Sequence, residues 1–200
     1  SFFDFVISKK NKINDYKSLI KLIFKIQKIK IKKNYNLGKF KVKLSIYNLD
    51  NLHKESDLFF DWFLKYSLKN KNKNKIKILL RNELNKVYKK LNFKNDTFVH
   101  RDFHVSNIMI SKKKLGLIDS QDAIIGNPLY DVASLIDDVR IKLPRDLQNK
   151  LFKFYWQGSK YNNEKEEKLK NDFDILSVQR NLKKLRIFVR LWKRVKQPKY

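Results

Sequence analysis

The sequence predicts an α+β chain, mainly helical, with one small β-hairpin, and three observations carry that prediction. Apolar residues recur at three- and four-residue intervals over most of the chain, which places them on one face of an α-helix. Two short apolar runs, NIMI from Asn107 to Ile110 and LGLID from Leu115 to Asp119, flank the polar SKKK, the pattern of a hairpin and its turn. The chain has 200 residues, 42% of them hydrophobic and 14% aromatic, enough for one core and a single domain over 1–200.

The elements follow in order. Asn14 is a fitting N-cap for a first amphipathic helix with Tyr16, Leu19, Ile20, Ile23 and Ile26 on its apolar side. Phe40, Val42, Leu44 and Ile46 alternate with polar residues, which predicts a strand. Leu58, Phe59, Trp62, Phe63 and Tyr66 line one side of a second helix, and Ile76 to Tyr88 forms a third, the two sheltering the loop after His100 from behind. VHRD ends a short strand ahead of the hairpin. Gly126 and Asn127 make a turn before Pro128, which sits in the first turn of a helix carrying Val132, Leu135, Ile136 and Val139. Asp131 then lies near that helix start, pointing back at the loop or out as a helix-dipole acid. Pro144 opens a helix through Leu151, Phe154 and Trp156, and after a break at Tyr161 to Asn163 the stretch Glu164 to Val195 forms one or two more. There is no internal repeat.

The formal net charge of +27 invites a nucleic-acid or anionic-membrane reading. The excess is nearly all lysine, however, with only eight arginines, and it runs from end to end without one basic block. Alanine occurs only at Ala123 and Ala133, while Lys, Asn, Ile, Phe and Tyr abound, as A/T-rich codons would produce. The clusters at Lys71 to Lys77 and Lys112 to Lys114 are read as solvated loops, and no specific nucleic-acid partner is expected. With no cysteine, disulfides and thiolate metal sites are excluded. The apolar runs are short and laced with lysine, so no membrane span is expected. A monomer in the cytoplasm is the expectation.

The stretch HRDFHVSNIMISKKKLGLID, His100 to Asp119, carries the chemistry. Moving a phosphoryl group off a nucleotide needs magnesium held by a few oxygen ligands, the ion keeping water and taking the rest from phosphate. Asn107 and Asp119, at neighbouring ends of the predicted hairpin, supply an amide oxygen and a carboxylate. The attacking hydroxyl must be aligned and relieved of its proton, and Asp102 on the entering loop is placed for that. His104, two residues on, presents a cation or donor to the transferring group, or is a turn histidine with its ring against the backbone. Taken singly these are loop polar residues capping turns, with the His100 ring in the interior. Together they specify a phosphoryl-transfer site.

At these residues the chain resembles the aminoglycoside phosphotransferase family of small-molecule kinases, which share the protein-kinase-like fold. HRDFHVSN is similar to the family's catalytic loop, and GLIDSQDAIIGNPLYDVASL to its metal-binding segment and the helix that follows. The resemblance implies the C-terminal lobe of that fold, with ATP as donor and Mg2+ as cofactor. It implies Asp102 as catalytic base, Asn107 and Asp119 as magnesium ligands, and Asp131 as a buried acid that, with His100, supports the catalytic loop. It also suggests a connecting segment where alternation predicts the Phe40 to Ile46 strand. Within the family, HKESDLFFDWFL, DSQDAIIGNPLYD and QRNLKKLRIFVRL resemble the bacterial cell-wall amino-sugar kinases, which phosphorylate N-acetylmuramate and N-acetylglucosamine at the anomeric hydroxyl. Those segments nominate Glu55, Asp61, Gln121, Asp122, Gln179 and Arg180 as acceptor-binding. By residue type alone, Glu55 and Asp61 are equally helix-surface acids, and Gln179 and Arg180 equally tie two helices together.

Two departures from the family pattern stand out. Ser120 replaces the aromatic that usually follows the metal aspartate, which removes packing under the metal loop. The four glycines, Gly38, Gly116, Gly126 and Gly158, form no clustered phosphate loop, and the match begins just after the interlobe hinge. The expectation is a fragment lacking its N-terminal nucleotide-covering lobe and the extreme C-terminus, and inactive alone. Two alternatives stay open: a noncatalytic kinase-like protein holding nucleic acid on a basic face, and a kinase for an aminoglycoside or choline-like acceptor.

Overall fold

Helix α1 (Phe2–Ile7) and helix α2 (Ile13–Gln27) open the chain, and α2 buries Tyr16, Leu19, Ile20 and Ile23 as its apolar spacing requires. The structure is a computed structural model describing residues 2–32, 34–67, 72–112 and 114–195. Asn14 is not the cap of α2. The N-cap position falls two residues earlier, at Lys12, and Asn11 accepts the Ile13 N–H at 3.2 Å, giving an orphan donor its partner.

Strands β1 (Asn34–Leu37) and β2 (Phe40–Lys43) form an antiparallel hairpin turning at Gly38, whose φ of 61° suits glycine. The alternation that predicts a strand through Ile46 holds only to Lys43, and the side chains of Phe40 and Val42 lie outside those described. Ile46 is exposed and Tyr47 takes the core position. The cause is a parallel bridge: the Tyr47 N–H donates to the Ile125 carbonyl at 2.8 Å, and the Ile125 N–H to that of Ser45 at 2.9 Å.

Helices α3 (Leu49–Ser67) and α4 (Lys73–Tyr88) pack against each other. Phe59, Phe60 and Leu64 are buried, whereas Leu58, expected on the apolar side, is exposed; the Tyr66 side chain lies outside those described. Helix α4 begins before Ile76, so Lys73 to Lys77 are helical rather than loop, with Lys71 outside the described residues. Ile78, Leu79 and Leu80 are exposed and Tyr88 is buried. This outer helix therefore meets the core at its C-terminal end, and α3 does the sheltering.

Strand β3 (Thr97–Val99) pairs antiparallel with β6 (Ile124–Gly126). A Cβ at Gly126 would lie 3.1 Å from Val99 Cγ2, so glycine permits this close approach. Strands β4 (Ile108–Ser111) and β5 (Lys114–Leu117) are the predicted hairpin; Lys112 is exposed at its turn and Lys113 lies outside the described residues. Helix α5 (Leu129–Ile136), entered through Pro128, is buried along its whole length. Val139 lies past its end and is exposed, not on its apolar face. Helix α6 (Arg145–Gly158) follows Pro144, and after turns at 161–163 a single long helix, α7 (Glu166–Val195), packs on α3 and α5. Buried Asp172 of α7 accepts the backbone N–H groups of Asn92 and Phe93 and the Asn127 amide, pinning α7 to the segments flanking β3 and β6. Among the described residues no helix is long and apolar enough to cross a membrane.

Candidate active site

The catalytic loop leaves β3 at His100 and is held from the first turn of α5. Asp131, 2% exposed, accepts the His100 backbone N–H on Oδ2 at 2.8 Å and the Arg101 N–H on Oδ1 at 3.0 Å. Burial pushes its carboxyl above the ordinary value, and the two amide donors pull the other way. The His100 ring is enclosed, with Nε2 3.0 Å from the Ile118 carbonyl and its face edge-on to Phe103. The residue that follows β5 is thereby tied to the loop. Replacing Asp131 by Ala strands two buried N–H groups, each costing about 1–3 kcal/mol. Relief of a buried carboxyl offsets part of this, so urea unfolding of the variant is expected to show a loss of about 2–4 kcal/mol. A loss below about 0.5 kcal/mol, the scatter of ordinary surface changes, would mean that other groups take over the amides.

Arg101 sits at φ 74°, a left-handed conformation that costs a non-glycine residue about 1–2 kcal/mol. Contacts on every side hold it there. Its N–H goes to Asp131, its carbonyl accepts Arg180 Nη1 at 3.0 Å, and its guanidinium donates to Glu55 of α3. Burial would raise the Glu55 carboxyl, but Lys183, Arg101 and the Tyr47 hydroxyl together hold it below its ordinary value. The fixed bend presents Asp102 half-exposed beyond it.

Asn107 and Asp119 lie side by side. Ile108 pairs with Leu117 across the hairpin, and the Ile118 N–H donates to the Asn107 carbonyl at 3.1 Å. Asn107 Nδ2 donates to the Asp102 carbonyl at 3.0 Å. That contact fixes the amide orientation and leaves Oδ1 free as a ligand. Asp119, at φ 63°, is exposed and has no side-chain hydrogen bond among the described residues. No group of three His, Cys, Asp or Glu side chains that could hold a metal occurs among the described residues. A hard ion held by one amide oxygen and one carboxylate, with water and phosphate completing the shell, needs none. The residues present therefore fit magnesium.

With this geometry in place, the family model described as the phosphotransferase enzyme family (APH) matches residues 35–167. The chain belongs to that family. It is 30% identical over 158 residues to an N-acetylmuramate/N-acetylglucosamine kinase of Neisseria meningitidis, covering 77% of this chain and 47% of that protein. It is 29% identical over 161 residues to a kinase of the same description from Pseudomonas aeruginosa, covering 78% and 48%. A third, from Pseudomonas putida, is 32% identical over 106 residues, covering 51% and 31%. The chain thus spans about half the length of the first two relatives.

In this family member the other nominated residues separate. His104 is 7% exposed, and burial together with the Arg140 charge lowers its imidazole to about 4. The lowered value favours the neutral ring, which can offer a donor rather than a charge to the transferring group. Gln179 is fully buried: its Nε2 donates to Leu52 O at 3.2 Å and Glu55 Oε2 at 3.3 Å, and its Oε1 accepts from Tyr88. It ties α3, α4 and α7 together and has no polar atom left for a sugar. Glu55 is committed to Arg101, and Arg180, 3% exposed, to the Arg101 carbonyl with its guanidinium over the Tyr130 ring at 5.0 Å. All three position the loop. Asp61 is exposed and ion-paired with Lys77 at 2.6 Å on the outer helices, apart from this cluster. Gln121 and Asp122 are exposed in the single 3-10 turn after Asp119 and remain the nominated side chains open to a ligand. Ser120 closes that turn through its carbonyl, which accepts the Ala123 N–H at 3.1 Å.

Two features were not foreseen. Met109, Gly116 and Ile118 share the hairpin face opposite Ile108 and Leu117, and all are exposed; a Cβ at Gly116 would meet nothing within 4 Å. Period-two alternation within NIMI and LGLI carried the signal, hidden because both faces are apolar. The second is the charged turn after α5, with Asp138 and Arg140 against Lys184, visible in sequence only as scattered charges.

Proposed function

We propose that the protein carrying these 200 residues is an ATP- and Mg2+-dependent small-molecule kinase that phosphorylates the anomeric hydroxyl of a cell-wall amino sugar. The observation that best supports this is the junction of Asp102, Asn107 and Asp119 on a loop locked by Asp131, the donor set phosphoryl transfer requires. The descriptions of the relatives support the acceptor class. Asn107 and Asp119 would hold magnesium, which when bound would supply charge neutralisation at the phosphates. Asp102 orients the acceptor hydroxyl and takes its proton as the oxygen bonds the γ-phosphorus and ADP departs with the bridging oxygen. The open face of Met109, Gly116 and Ile118 offers an apolar floor for the planar nucleotide base. We further propose that residues covering the phosphates belong to the half of the relatives' length that this chain does not span.

The test is to incubate the protein carrying these residues with ATP, Mg2+ and either N-acetylmuramate or N-acetylglucosamine, and to follow products by 31P NMR. A magnesium-dependent sugar phosphate is expected. Phosphorylation of an aminoglycoside or choline with neither sugar consumed would replace the acceptor and keep the kinase, and no transfer to any hydroxyl would remove the kinase reading.

A further inference from the structure

We infer that Arg140 reads a negative charge on the acceptor, so that the protein favours an amino sugar bearing a carboxylate over its neutral counterpart; this rests on the sugar-kinase reading above. The turn after α5 is docked on α7. Asp137 accepts from Asn181 Nδ2 at 3.0 Å and Asp138 from Lys184 Nζ at 3.1 Å. Asp138 also accepts the Arg140 backbone N–H at 3.2 Å, which fixes the root of that side chain. One turn earlier on α7, Arg180 grips the catalytic loop at the Arg101 carbonyl. Residues four apart share a helix face, so a single stretch of α7 connects Arg140 to the backbone beside Asp102.

Among the described residues, carboxylates on this side of Asp102 are shared between cations. Glu55 serves both Arg101 and Lys183, and Asp138 serves both Lys184 and Arg140. Arg180, almost fully enclosed, has no carboxylate partner among the described residues, and its Nε has no hydrogen-bond partner. Buried Asp131 nevertheless lies within electrostatic range of Arg180, so Arg180 is compensated and serves the loop. Arg140, exposed on the same side, is open to an incoming anion. Its side chain is 40% exposed; Nη1 makes long contacts of 3.4 and 3.5 Å with the two oxygens of Asp138, which Lys184 shares, and the rest of the guanidinium can meet a carboxylate.

The position argues for the acceptor rather than the nucleotide. The hairpin bearing Asn107 and Asp119 packs against α1, whereas α7, on which the Arg140 turn is docked, packs against α3 and α5, so we assign Arg140 to the acceptor side of the loop. The relatives' description names two sugars that differ in just this way: N-acetylmuramate is N-acetylglucosamine with a carboxylate-bearing ether.

The experiment compares kcat/KM for the two sugars in wild type and R140Q, at low and high salt. Loss of one charge-assisted contact is expected to lower the ratio of the carboxylate-bearing to the neutral sugar by about 10- to 100-fold, with R140K retaining part of it. Added salt should lower the wild-type ratio and leave that of R140Q flat. A ratio that moves less than about twofold, within the error of independent substitutions, overturns the inference. So does an equal loss on both sugars, which would assign Arg140 to the transferring phosphoryl group. Turnover of neither sugar by the wild type removes the sugar-kinase reading instead, and the inference with it.

Discussion

Replacing Asp102 by Asn is expected to lower kcat by about 10²- to 10⁴-fold, the range for loss of a positioned general base. The fold should survive the change. Asp102 contributes its backbone carbonyl to the loop, accepting the His104 N–H at 3.1 Å and Asn107 Nδ2 at 3.0 Å, and an asparagine keeps that carbonyl. Its carboxylate is half-exposed, so unfolding stability should stay within about 0.5 kcal/mol of wild type. A group acting only in the transition state lowers kcat and kcat/KM together, and steady-state kinetics at saturating nucleotide read both. Near-normal turnover with an intact fold would move the base to another residue.

Asp119 gives the second large effect. Its φ of 63° makes the choice of variant decisive. Asparagine tolerates the left-handed region as aspartate does, whereas alanine there adds about 1–2 kcal/mol of strain, so D119N removes the charge and D119A removes charge and backbone fit together. For D119N the half-saturating magnesium concentration is expected to rise by about 10- to 100-fold or more, at least the penalty seen for losing a group that merely supports a metal ligand. The maximal rate should fall by about 10²-fold or more, as when a preorganised electrostatic contact is removed. Thermal unfolding should separate the two variants, D119A melting lower. Magnesium dependence unchanged in D119N would take Asp119 out of the metal site.

Much of the fold was legible because its signals are local. The apolar faces of α2 and α5, the β4–β5 hairpin about its lysine turn, and the entry of α6 at Pro144 all depend on residues a few positions apart. Asp131 meets the loop for a related reason, since Pro128 sets the start of α5 and hence which residue reaches the His100 N–H. Legibility failed where a long-range partner decided the outcome. The strand through Ile46 ends at Lys43 because residues 45–47 pair with Ile125 instead. Ile78 and Leu79 look like core by type, but only the end of α4 reaches the interior.

The candidate site divides the same way. The proposed phosphoryl-transfer site rests on the types and spacing of Asp102, Asn107 and Asp119, because that chemistry needs such oxygens close together and a hairpin is the shortest route between two of them. What the other polar residues do was decided by packing. Glu55, Gln179 and Arg180 share segments with sugar kinases, yet burial turns all three inward to brace Arg101 at positive φ. Arg140 carried no motif at all, and matters because α7, folded back across more than forty residues of chain, brings Lys184 to Asp138. Local sequence settles which groups exist and which element carries them. Only tertiary contact decides which of those groups are buried and paired, and so which remain free to meet a ligand.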